Sequence, residues 1–239
     1  MMKSMVLVYL LLVHVVLAVA LLKTDLVPRL INRVSGATIE NTHLYDALLP
    51  YHRRMDGNVA EGSIIFLGDS IVQSLVTSAI ADKTVNYGIG ADTIGGLRKR
   101  LPFYRSLNNA RAIVISIGVN DLWYRQHDEI ILRYEQLLAD LPDNVPVVAN
   151  ALFPIQEGLE YGDDTNARIS HVNQSISEVA SRFDNVLFIN NTDSFVDTNG
   201  QLQSDYHIGD GLHLNTKAYE VWIERLRMAI SQVTELQVD

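Results

Sequence analysis

The 239-residue sequence contains no cysteine. Disulfides, thiolate metal sites and thiol nucleophiles are excluded together, and the redox compartment leaves no mark on the composition. Basic residues are scarce, with 19 Lys and Arg against 28 Asp and Glu and a formal net charge of −9. So acidic a chain is a poor polyanion binder, and nucleic acid is not expected as a partner. Also missing are a low-complexity linker, an internal repeat and a Gly-x-Ser-x-Gly elbow. The first two absences leave no boundary for a second folded domain, and the third argues against the usual α/β-hydrolase arrangement. What remains, 48% hydrophobic and 20% charged residues, is the composition of a globular protein.

One long hydrophobic run is present, from Met5 to Leu22, broken only by His14. At 1.5 Å per residue it spans about 27 Å as a helix, the lower edge of what crosses a bilayer. Lys3 precedes it, and Ala18-Val19-Ala20 is a small-x-small triplet. Two readings follow: a secretory signal cleaved after Ala20, or an uncleaved signal anchor, since the run continues to Lys23. Either one predicts export, as a membrane-anchored or a secreted or periplasmic protein. Basic residues on both flanks leave the orientation open.

Beyond a junction at Pro28 and Gly36, residues 38–55 read as a helix with Leu44, Ala47, Leu48 and Tyr51 on one face. Short Ile- and Val-rich runs then alternate with helical stretches. The strands fall at 63–67, 84–86, 112–117, 145–149 and 186–189, the helices at 71–81, 94–107, 129–141, 166–183 and 216–233. Continuous apolar strands separated by helices predict an α/β fold: a doubly wound five-stranded parallel sheet with helices on both faces. The expected organisation is a signal peptide or anchor at 1–22, a juxtamembrane segment and leading helix at 23–61, and a catalytic domain at 62–239.

Ligands of such sheets bind beyond the carboxyl ends of the strands. After the first strand stands Gly68-Asp69-Ser70. Ser70 reads as a nucleophile at a helix N-terminus or, equally simply, as an N-cap. After the second stands Asn86-Tyr87-Gly88-Ile89-Gly90-Ala91-Asp92-Thr93, which lacks the third glycine of a dinucleotide loop. After the third stands Gly118-Val119-Asn120-Asp121, either an amide donor to the cleft or ordinary turn chemistry. Before the last helix stands Asp210-Gly211-Leu212-His213, a spacing that lets Asp210 orient the imidazole. Asp205, His207, Asp210 and His213 together also admit a metal site, although catalytic ligands usually come from more than one element.

In this order the four stretches resemble the SGNH (GDSL) hydrolases. The run Phe66-Leu67-Gly68-Asp69-Ser70-Ile71-Val72-Gln73 is most similar to the branch related to platelet-activating-factor acetylhydrolase. The resemblance implies a flavodoxin-like fold and a serine esterase with Ser70, Asp210 and His213 as its triad. It implies an oxyanion hole of Ser70, Ala91 and Asn120, with no cofactor and no metal. Ala91 stands where the family has glycine, and it serves as a backbone donor if its φ is negative. The substrate expected is a small-molecule or glycan ester with an acetyl-like acyl group, because the 153–165 segment is acidic and lacks a wide apolar stripe. The alternatives are an O-acyltransferase using the same triad, a lysophospholipase or thioesterase, and a weakened binding module. The membrane is a further partner if the N-terminal segment stays in place.

Overall fold

The computed structural model describes residues 40–159 and 161–235, together with Tyr9, Val13 and His14. The expected signal or anchor at 1–22 therefore lies almost wholly outside the described residues. Among the described residues, no helix is long and apolar enough to cross a membrane. Residues 1–41 and 42–239 are separate compact units, and the second holds everything that follows.

The strands are β1 (Ile64–Gly68), β2 (Thr84–Gly88), β3 (Ala112–Ser116), β4 (Val147–Asn150) and β5 (Val186–Ile189). They form one parallel sheet in the order β2-β1-β3-β4-β5. The helices are α1 (His43–Asp56), α2 (Ser70–Gln73), α3 (Ile94–Arg100), α4 (His127–Ala139), α5 (Thr165–Ala180) and α6 (Thr216–Glu235). Alternate side chains of each strand point to opposite faces, and here both faces are apolar. Ile65, Leu67, Ile113 and Ile115 join one core with Leu97 of α3, Ile130 and Leu137 of α4, and Ile169 and Ile176 of α5. Ile64, Phe66, Val114 and Val148 join the other with Val72 of α2 and Trp222, Leu226 and Ile230 of α6. Each such buried side chain contributes roughly 1.5–3 kcal/mol, which is why the strands read as unbroken apolar runs. The doubly wound parallel sheet is as expected.

Several boundaries differ, each for a local reason. The helix expected at 71–81 is only the single turn of α2, followed by a 3-10 turn at Thr77–Ala79. The helix expected at 94–107 stops at Arg100 and continues as two 3-10 turns, with Pro102 in the first. The leading helix begins at His43, capped by Thr42, whose Oγ1 accepts from the Tyr45 N–H at 3.1 Å. Its inward face is not the expected Leu44–Tyr51 stripe; Leu44 and Tyr51 are exposed, and Tyr45, His52 and Asp56 are buried. Polar bonds hold this face: Tyr45 Oη donates to Gly96 O at 3.3 Å, and Asp56 accepts from the Arg105 N–H at 2.8 Å.

Candidate active site

In the order β2-β1-β3, the chain leaves β1 and β3 toward opposite faces, and a crevice opens between their carboxyl ends. Ser70 and Asn120 follow those two strands. Gly68 ends β1, and Asp69 is buried behind it. Asp69 Oδ1 accepts from the Ile71 N–H at 3.0 Å, so Asp69 is the N-cap and Ser70 the first helical residue. The capping alternative for Ser70 is thereby removed. A four-residue helix carries little macrodipole, so the expected help from one is small too. Burial lifts the Asp69 carboxyl to about 7, opposed by its bond from the Ile71 N–H and reinforced by Asp92 and Asp121.

Ser70 Oγ lies 3.0 Å from His213 Nε2, and His213 Nδ1 lies 2.6 Å from Asp210 Oδ2. The other carboxylate oxygen, Asp210 Oδ1, accepts from the Leu212 N–H at 3.0 Å and the His213 N–H at 2.9 Å. Partial burial pushes Asp210 upward, but these N–H groups and the imidazole outweigh it and hold the carboxyl below its ordinary range. The three expected triad residues therefore form one continuous hydrogen-bonded line.

The turn after β2 is held from three sides. The Ile89 N–H donates to Gly68 O at 3.0 Å, the Gly90 N–H to Gln73 Oε1 at 2.5 Å, and Asn120 Nδ2 to Asp92 O at 2.9 Å. Gly90 is closely approached: a Cβ there would meet the side-chain ends of Leu44 (Cδ2, 2.8 Å) and Gln73 (Oε1, 3.0 Å), with Ser70 Cβ at 3.9 Å. The Asp92 N–H closes the turn on Ile89 O at 3.1 Å. Ala91, third in the turn, has φ +59°, the sign a type II turn requires at that position. The negative φ on which the donor role of Ala91 is conditional is thus not met; the direction of its N–H, however, is set by the planar 90–91 peptide and not by its own φ. The hydrogen bonds that fix the turn leave residue 91 in the left-handed region, where glycine is favoured. Ala91 is exposed, and among the described residues its N–H donates to no protein acceptor.

Beneath this rim lies a buried ion pair that the sequence did not reveal. Arg100 donates to Asp92 Oδ2 at 2.9 Å, Gly68 O at 3.0 Å, Tyr87 O at 2.6 Å and Tyr104 Oη at 3.0 Å. One guanidinium thus ties the ends of β1 and β2 to the turn that carries Ala91. Burial lifts Asp92 to about 6 despite the neighbouring Arg100. Asp121 has a parallel role, accepting from the Ile94 N–H at 3.0 Å and from Arg125 at 2.9 Å. Arg100 reads in sequence only as a basic residue in the last turn of α3, and nothing there marks it as internal.

The four residues considered for a metal are engaged separately. Asp205 pairs with Lys217, His207 bonds Gln156, and Asp210 and His213 face Ser70. Among the described residues no three His, Asp or Glu side chains converge as a metal site. The segment after β4 is clamped by α5: Asn173 bonds both backbone groups of Leu152, and Asn166 both of Ile155. It then meets the Asp210–His213 loop, where the Gln156 N–H donates to Gly211 O at 2.8 Å.

Comparisons with known proteins place the fold and the family. No curated protein matches the chain. A Streptococcus pneumoniae structure, provisionally assigned as a platelet activating factor, is 25% identical with a TM-score of 0.72, covering 78% of this chain and 92% of its own. A GDSL-like lipase from Bacteroides thetaiotaomicron is 18% identical with a TM-score of 0.66, covering 77% of this chain and 97% of its own. The acetyl xylan esterase AlAXEase is 19% identical with a TM-score of 0.58, covering 70% of this chain and 98% of its own. The family model of the GDSL-like lipase/acylhydrolases matches residues 66–221, from the middle of β1 into α6, and the chain belongs to that family of SGNH-type ester hydrolases.

Proposed function

We propose that the protein is a serine esterase that hydrolyses a short-chain, acetyl-like ester through an acyl-enzyme. The observation that carries this reading is the unbroken line from Ser70 Oγ through His213 to Asp210. As Oγ attacks the ester carbonyl carbon, its proton passes to His213 Nε2, and ionised Asp210 stabilises the imidazolium. The carbonyl oxygen becomes an oxyanion, met by the N–H groups of Ser70 and Ala91 and by the Asn120 Nδ2 proton not given to Asp92 O. His213 returns the proton to the leaving alcohol. A water then gives its proton to His213 and adds to the acyl carbon; collapse breaks the bond to Oγ, frees the carboxylic acid and reprotonates Ser70.

Two features support a small acyl group on a polar alcohol. Leu44 and Gln73 crowd Gly90 beside the nucleophile, leaving little room there for a chain. In the 3-10 turn Asn120–Trp123, side chains three apart fall on the same side, so Trp123 projects beside Asn120. Its ring stacks on Tyr161 at 5.1 Å and keeps 40% of its surface exposed, an aromatic face that suits a sugar ring. An acetyl xylan esterase among the structural relatives fits the same substrate class. The hydrophobic run at 5–22 is compatible with export, and export would put the reaction within reach of an envelope carbohydrate. The test is hydrolysis of p-nitrophenyl acetate, butyrate and octanoate and of O-acetylated oligosaccharides by the full chain. Turnover should fall with acyl length and include deacetylation of the sugar. No hydrolysis of any ester would overturn the reading, and preference for octanoate would overturn its short-chain part.

A further inference from the structure

The Asp210–His213 loop owes its shape to a second histidine that the reaction does not use. His207, at 9% exposure, sits directly behind this loop. Its Nδ1 lies 3.0 Å from the Gly209 N–H and 3.1 Å from the Gly211 N–H. Both partners are donors, so Nδ1 must offer a lone pair, and the ring proton belongs on Nε2. Nε2 in turn lies 2.5 Å from Gln156 Oε1, an acceptor. The two glycines bracket Asp210, and both have positive φ, +110° at Gly209 and +79° at Gly211. Their N–H groups converge on one nitrogen. A Cβ on Gly211 would lie 2.8 Å from Gln156 O, so side chain and backbone of Gln156 close on the same loop. The Ile208 N–H to His213 O bond at 3.0 Å completes it.

We propose that His207 is a positioning residue: a neutral, Nε2-protonated imidazole that latches the loop presenting Asp210 and His213 to Ser70. It grips the N–H groups of the two glycines that flank Asp210, and Asp210 Oδ1 then fixes the Leu212 and His213 N–H groups. The orientation of the His213 ring is set through that chain of bonds. His207 neither donates to nor accepts from the reacting atoms. Its kinetic effect rests on the esterase reading, whereas its tautomer does not.

The experiment has two arms. Asparagine can place its amide oxygen near the Nδ1 position and so keep the latch, whereas glutamine carries its polar end farther out and alanine carries none. With p-nitrophenyl acetate, His207→Ala and His207→Gln should lower kcat by up to about 100-fold, as small misplacements of catalytic groups do. KM should change little, and His207→Asn should recover most of the loss. Nitrogen NMR of the full chain and of its Ser70→Ala variant should show His207 with bare Nδ1 and protonated Nε2. Wild-type kcat in His207→Ala, rescue by glutamine as good as by asparagine, or the opposite tautomer would each overturn the latch. If His207→Ala fails to fold, the asparagine–glutamine comparison and the tautomer still decide. An inactive wild type with the expected tautomer would count against the esterase reading and support the latch.

Discussion

Ala91 is the one residue of the proposed oxyanion hole where the chain departs from the family's glycine, and its backbone makes the consequence calculable. At φ +59° an L-residue is held in the left-handed region, at a cost of about 1–2 kcal/mol relative to the right-handed helical region. Ala91→Gly removes that strain. The same change gives the unfolded chain more freedom, which offsets roughly 0.4–1 kcal/mol of the gain. The net expectation is a modestly more stable protein, by about 0.5–1 kcal/mol. For a folded unit of this size that is a rise of about 1–4 °C in midpoint.

Activity should hardly move. Among the described residues the Ala91 N–H has no protein acceptor, and its turn is pinned by Gly68, Gln73 and Asn120. Glycine therefore restores nothing that is missing from the hole, and kcat on p-nitrophenyl acetate should stay within about threefold, a change of less than 1 kcal/mol in the barrier. Calorimetry and steady-state kinetics on the same preparations test both halves. A fall in midpoint would show that residue 91 is unstrained. A tenfold or larger rise in kcat would show that alanine holds the peptide away from its productive orientation, and the assignment of this N–H as a donor would fail.

Ser70→Ala and His213→Ala should each abolish ester hydrolysis without loss of folding, and the double variant should be hardly worse than either, because the residues act as a unit; additive losses in kcat would refute the relay. Asp69→Asn keeps a capping oxygen for the Ile71 N–H and removes a carboxyl raised from 3.8 to about 7. A folded-state pKa above the unfolded value means that the native state holds the extra proton, so wild-type stability falls as pH rises from about 4 to 7. The variant should gain on the wild type across that window, by up to about 4 kcal/mol for a shift of this size; denaturant melts showing a pH-independent difference would contradict this. Tyr134 is fully buried and its Oη has no hydrogen-bond partner among the described residues, so Tyr134→Phe should stabilise by about 1 kcal/mol, and a loss of stability would reveal a partner.

The sheet was legible because its strands are covered on both faces, which writes Ile, Val and Phe into unbroken runs such as Ile64–Leu67. Helix ends were less legible. α2 ends after one turn although Leu75 and Val76 continue the apolar pattern, and α1 buries Tyr45, His52 and Asp56, which no hydrophobic periodicity selects. Their burial depends on partners some 50 residues away, Gly96, Tyr104 and Arg105.

The site divides along the same physical line. Ser70, Asn120, Asp210 and His213 stand where strands or a glycine turn deliver them, so position made them candidates and the family resemblance gave them roles. What holds them does not follow from position. Arg100 reaches the carbonyls of Gly68 and Tyr87 at the strand ends from α3, and His207 is defined by the backbone N–H groups of two glycines that both take positive φ. Lone-pair direction and backbone sign leave no pattern in residue type. The same sequence cluster of Asp205, His207, Asp210 and His213 therefore admitted a metal site on paper, whereas in the fold one histidine meets Ser70 and the other bonds the N–H groups of its own loop.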